Sequence, residues 1–230
     1  MTHNQIASTI RNRVADGLSG NISNQAFSIQ QLMDEVDTTR AKLVNTMSKS
    51  GLVDPNYLMQ PIDTLPIEML PTIDACTAYA GPCSEIPGVI VPKLMPLFGG
   101  KGIQYLGRTN MQEAIAVYYD YEDIRNHRVR IRTKNRPFGL VDVSTGADNM
   151  HRIYLFNLGK YSSLEYLKMR AVFEHPGRVS FLDPTSDTKE YPAPGHIQDA
   201  IMDALTEKYV RYFRQLNVPI TTNTQSDPIT

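Results

Sequence analysis

Apolar residues fall three to four apart near both ends of this chain and two apart through much of its middle. The first spacing predicts a short helix over about Asn4–Asp16, where Ile6, Ile10 and Val14 share a face. Gly17-Leu18-Ser19-Gly20-Asn21 breaks it. A second helix has a marked start. Ser28 and Gln31 fit a capping box, and Phe27 and Leu32 fit a hydrophobic staple. Ile29, Leu32, Val36, Leu43 and Met47 form its apolar stripe, with a gap at Thr39/Arg40. Asp34, Glu35 and Asp37 come early; Arg40, Lys42 and Lys49 come late, an order that suits the helix dipole. Gly51 reads as a left-handed stop. Near the other end, Ile197, Ile201, Leu205, Tyr209 or Val210, and Phe213 predict a helix over about His196–Leu216.

Between these helices, period-two runs predict antiparallel β structure over 101–185. The strands are Ile103–Leu106, Ala114–Tyr121, His127–Thr133, Phe138–Val143, Arg152–Asn157 and Tyr166–Phe173. Leu167, Met169, Ala171 and Phe173 share a face. Lys134-Asn135-Arg136-Pro137, Ser144–Asn149 and His175-Pro176-Gly177 supply turn chemistry between runs.

The segment 52–100 is different. It holds eight of the fifteen prolines, whose fixed φ and missing N–H argue against long helices and central strands. Yet it also carries Ile62, Leu65, Ile67, Met69, Leu70, Ile86, Val89, Val91 and Leu94, too much apolar surface for a solvated linker. Such an extended arm must lie on something, either its own β domain or a neighbouring subunit. We read these nine residues as candidates for a subunit interface.

The organisation is then α+β. N-terminal helices (1–51) and a C-terminal helix (186–216) form one small bundle. A proline-rich extended arm (52–100) and an antiparallel β domain (101–185) are inserted between them. A polar tail (217–230) has no core of its own.

Composition narrows the classes without naming a task. At 230 residues with 41% apolar and 20% charged residues, the chain can bury a core. The net charge of −1 gives no global field for nucleic acid or membrane. No apolar run reaches the length of a membrane span, and Met1–Gln5 does not read as a signal peptide. Cys76 and Cys83 have six residues between them, too many for a usual zinc pair, and read as buried or half-buried thiols. The five histidines show no metal-binding pairing, there is no nucleophile elbow, and Leu97–Gly102 lacks the rest of a phosphate loop. No enzyme, cofactor or metal is expected.

One run does stand out. Residues 125–136 carry six fixed positive charges and no acid. Strand alternation stacks Arg128, Arg130, Arg132 and Lys134 on one face, about 6.5–7 Å apart. That face could be solvated as edge protection, pair with the acid-rich arm, or meet phosphate. Repeated around a ring, it would make a strongly salt-dependent collar for DNA. Twelve tyrosines and ten methionines add residue types that favour interfaces.

Several phrases carry a resemblance. They are Gln5–Arg11, the helix Ser28–Asp37 followed by Arg40, Arg152-Ile153-Tyr154-Leu155-Phe156-Asn157, and Leu167–Pro176. With the layout they resemble ring or neck-adaptor (head-to-tail connector) proteins of crAss-like podovirus tails. The resemblance implies a non-enzymatic virion protein and a homo-oligomeric ring, commonly twelve-fold, below the portal protein. It implies a ring that extends the DNA channel, touches packaged double-stranded DNA non-specifically and docks other tail ring proteins. It implies assembly in the host cytoplasm, with no membrane partner. The alternative from another class is a β-rich carbohydrate- or peptide-binding recognition module.

Overall fold

A computed structural model describes residues 1–18, 28–71, 85–95, 97, 102–111, 113–120, 123–124, 126, 135–143, 149–159, 163–183 and 189–215. Two long helices open the chain, α1 (His3–Gly17) and α2 (Ile29–Lys49), and a third closes it, α3 (Gly195–Gln215). Both opening helices begin in reciprocal capping boxes. Thr2 pairs with Gln5, and Ser28 with Gln31. Gly51 takes a positive φ of 68° after α2. The three helices pack together around Ile6, Ile10, Val14, Leu32, Val36, Val44, Ile197, Ile201 and Leu205. The expected bundle of N- and C-terminal helices is therefore present, with β structure inserted between them.

The insertion is two facing sheets. One has the order β1-β8-β4, the other β2-β3-β7-β6-β5. Their strands are β1 (Gln60–Pro66), β2 (Glu68–Pro71), β3 (Glu85–Pro92), β4 (Ile103–Gly107), β5 (Ala116–Tyr118), β6 (Phe138–Asp142), β7 (Met150–Phe156) and β8 (Tyr166–Ala171). Ile62, Leu65, Val89, Val91, Leu106, Val141, Ile153, Leu155, Leu167 and Met169 fill the space between the sheets. The opposite face of the five-stranded sheet carries a second cluster, including Leu70, Ile86, Phe138, Leu140, Tyr154 and Phe156.

Two segments stitch the sheets together. The chain leaves β1 in one sheet and enters β2 in the other at Ile67, whose N–H bonds Glu165 O. The expected strand Ala114–Tyr121 is divided in the same way. Ala114 bridges Gly107 and Ile115 N–H bonds Leu106 O, while Ala116–Tyr118 pairs with β6. That β5–β6 pair is parallel, a departure from the antiparallel expectation. The nineteen residues 119–137 give the chain room to cross over and return in the same direction.

The segment 52–100 is not a free arm where it is described. It supplies β1, β2 and β3. Prolines occupy the positions where no sheet hydrogen bond is needed. Pro61, Pro66 and Pro71 lie on edge strands. The surprise is β3, an interior strand containing Pro87. It survives because its neighbours are staggered: β2 pairs with Glu85–Gly88, β7 with Gly88–Pro92. Pro87 therefore has a partner on one side only, and its missing N–H leaves no gap on the other.

A bulge in β1 also matters. Ile62 faces Met169 and Leu65 faces Leu167, so three steps on β1 match two on β8. Both Ile62 and Leu65 thus point inward, while Asp63 meets Lys168 outside at 2.7 Å.

Candidate functional site

The four residues of the basic face, Arg128, Arg130, Arg132 and Lys134, lie outside the described residues, as do the strand His127–Thr133, both cysteines and the tail. The nine arm residues are described, and most of them are covered within the single chain. Ile62, Leu65, Leu70, Ile86, Val89, Val91 and Leu94 are all at most 3% exposed within the single chain. A methyl group already enclosed by its own sheets has no surface left to bury on a neighbour. Of the two burial partners weighed from the sequence, the chain's own β domain takes these seven. Ile67 is half-buried, and Met69 is 57% exposed.

The most organised polar feature is one that the sequence reading missed. Arg40, which falls in the gap of the α2 stripe, is fully buried. Its Nε donates to Pro192 O and a terminal nitrogen to Phe173 O, both at 2.9 Å. Its head lies 5.9 Å from the Tyr191 ring centre. One turn earlier, buried Asp37 accepts from Tyr191 Oη at 2.9 Å and from Gly177 N–H at 3.2 Å. His3 Nε2 lies 3.3 Å from Asp37 Oδ1 and 3.1 Å from Met33 O, and the imidazole stacks on Tyr191 at 4.9 Å. One cluster thus ties α1, α2, the segment before α3 and the end of the sandwich together.

Burial dominates its electrostatics. It pushes the Asp37 carboxyl above the ordinary aspartate range, against the pull of His3, the Tyr191 hydroxyl, Gly177 N–H and Arg40. It lowers the Arg40 guanidinium, which Tyr191 and Asp37 partly restore. Burial and the neighbouring Asp37 hold Tyr191 well above its usual value. Every oxygen of Asp37 is engaged, and no serine, threonine or cysteine takes part in the contacts of the set. The arrangement holds parts together.

Another buried titratable group is His151. His151 Nδ1 accepts from Leu94 N–H at 3.2 Å. Burial, then nearby Lys93, lowers its pKa, which suits a neutral ring with an accepting nitrogen. Among the described residues no group of three His, Cys, Asp or Glu side chains is placed to hold a metal ion. No described helix is long and apolar enough to cross a membrane.

What the surface offers instead is contact area. A groove of about 780 Å³ runs between 52–61 and the segment 189–198, lined by Leu52, Tyr57, Tyr191, Pro192 and Pro194 among others. Leu52 and Tyr57 are 70% and 68% exposed beside it. Exposed apolar groups around a groove are a feature of binding surfaces for protein, membrane or ligand.

No curated protein matches this chain. The family model described as phage tail ring protein 2 matches residues 9–228, which takes in the latter part of α1, all of α2 and α3, both sheets and the Asp37–Arg40–Tyr191 cluster. On that extent of agreement the chain belongs to the phage tail ring protein 2 family, and its role is that of a structural protein of a phage virion tail.

Proposed function

We propose that the chain is the subunit of a closed, twelve-fold ring in the tail neck, below the portal protein. The ring continues the DNA channel and gives further tail proteins a docking surface. The family match over residues 9–228 carries this reading. Its subunits would assemble in the host cytoplasm before joining the tail. A closed ring needs two different patches on each copy. The apolar groove beside Leu52 and Tyr57 supports one of them. Of the nine arm residues, exposed Met69 and half-buried Ile67 keep surface for a neighbour.

Arg128, Arg130, Arg132 and Lys134 line the channel in this proposal. Repetition around the ring turns four charges per copy into dozens, enough for non-specific contact with packaged DNA. Electron microscopy of the purified chain, alone and with portal and tail proteins, tests the ring. Rings with an axial hole are expected. A chain that stays monomeric with every partner would end the reading. A ring structure with the four basic residues on its outer wall would end the channel assignment alone.

A further inference from the structure

Each carboxylate or ammonium in the wall of the Leu52/Tyr57 groove already has a partner within the chain. Asp54 accepts from Asn56 N–H at 2.9 Å, Lys189 pairs with Asp183 at 2.8 Å, and Glu190 lies 3.5 Å from the Met1 ammonium. A guest is therefore selected by apolar contact and by hydrogen bonds to neutral groups. Tyr57, Pro61, Pro192 and Pro194 give the aromatic and proline surface on which proline-containing segments pack. In the same wall, Gln60 Oε1 is enclosed with no donor. Helix α3 begins after Pro194, whose ring supplies no capping oxygen. Among the described residues the Gly195 and His196 N–H groups have no acceptor. One acceptor and two donors beside an apolar floor match the backbone of an extended, uncharged peptide.

The sequence that follows α3 is of this kind. Residues 216–230, outside the described residues, hold one charged side chain, Asp227, and begin Leu216-Asn217-Val218-Pro219-Ile220. Proline and β-branched side chains favour an extended backbone. The family match runs through this segment to residue 228. Its reach decides whose groove it takes. The groove lies at the start of α3, and Gln198, the last α3 residue in its wall, is seventeen residues before Gln215, about 25 Å along the helix. The bundle places the other wall at that end too. Lys208, late in α3, pairs with Glu35, early in α2, whereas Leu52 follows the end of α2. Ile220 is five residues past Gln215, at most about 18 Å away. Val218–Ile220 therefore falls short of the groove in its own copy.

We infer that Val218-Pro219-Ile220 of one copy seats in the Leu52/Tyr57/Pro192 groove of the next, with its backbone bonded to Gln60 and the start of α3. The occupant of the groove is the 216–230 segment of a second copy of this chain. Segment and groove lie at opposite ends of one helix, so the contact is head-to-tail, the kind a closed ring requires. The inference rests on the ring reading above and deepens it by naming its contact.

The test uses two full-length chains with different tags, both with Cys76→Ser and Cys83→Ser. One carries His196→Cys at the groove, the other Thr221→Cys beside the apolar triplet. A short bis-maleimide is added to the mixture under assembly conditions, and the same samples are imaged. Covalent pairs that join the two tags are expected. Rings without such pairs overturn the inference and leave the ring standing. Pairs of the His196→Cys chain with itself show a two-fold contact and also overturn it, as does a link from that chain to a different tail protein. A chain with both cysteines should stay unlinked when diluted below assembly, and an internal link there places the segment in its own groove and overturns the inference. Absence of rings with every partner overturns both readings. An independent arm puts charge into the contact. Val218→Asp with Ile220→Asp should raise the concentration for half-assembly at least about 10-fold. Thr224→Asp, outside the triplet, should leave it within about twofold. Assembly of the double variant at the wild-type concentration counts against the inference.

Discussion

Replacing Arg40 by methionine is the sharpest test of how this molecule is held together. Methionine keeps most of the apolar stem and removes the guanidinium. Two carbonyls, Phe173 O in the interior and Pro192 O nearer the surface, then lose donors at 2.9 Å. Each orphaned carbonyl costs about 1–3 kcal/mol. Asp37, buried to 3% exposure, also loses a neighbouring positive charge. Relief from keeping a guanidinium out of water offsets part of this. Removal of one member of a buried charged set typically costs about 3–5 kcal/mol, and we expect that range. For a chain of this length it corresponds to a fall in Tm of roughly 6–20 °C. Urea unfolding by circular dichroism, at matched protein concentration, measures it. Lys208→Met is the control. Its 2.8 Å pair with Glu35 is on the surface and should cost less than about 1 kcal/mol. If Arg40→Met falls within 1 kcal/mol of the wild type, or matches the control, the cluster does not clamp the bundle to the sandwich.

Asp37 gives a pH signature. Its folded pKa is raised, so its contribution is fully present below the unfolded value of about 3.9 and is lost as pH rises through the folded value. The stability gap between wild type and Asp37→Asn should therefore narrow between pH 3 and pH 7 in denaturant titrations; a widening gap contradicts the assignment. Gly107→Ala should destabilise by about 1–3 kcal/mol in thermal melts, because a Cβ there would overlap Glu113 O where β4 meets Ala114. Ser28→Ala should cost about 1 kcal/mol in the same assay through loss of the α2 cap, whose hydroxyl accepts from Gln31 N–H at 3.1 Å.

The helices were legible because their signals are local. Capping residues, apolar stripes and Gly51 all lie within a turn or two of what they determine. The inward face of β8 was legible for the same reason. The prolines of 52–92 were harder to place. A missing N–H excludes a strand only on the side where a partner would need it, and that side is set by distant β2 and β7. Arg40 was misplaced because its charge outweighed its position. It stands midway between Val36 and Val44, four residues from each, on the stripe that is buried. Its partners near Phe173 and Pro192 are more than 130 residues away, beyond any local pattern. The groove shares that limit, since it joins 52–61 to 189–198, which only the fold brings together.

The stagger around β3 has a mechanical outcome. Gly88 is the one residue of that strand bonded into both neighbouring ladders, so the five-stranded sheet is spliced at a single rung instead of being laid continuously. Traction on Glu68–Pro71 would unzip four rungs and stop at the splice, leaving β7, β6 and β5 in register. The sheet could lose one corner without unravelling.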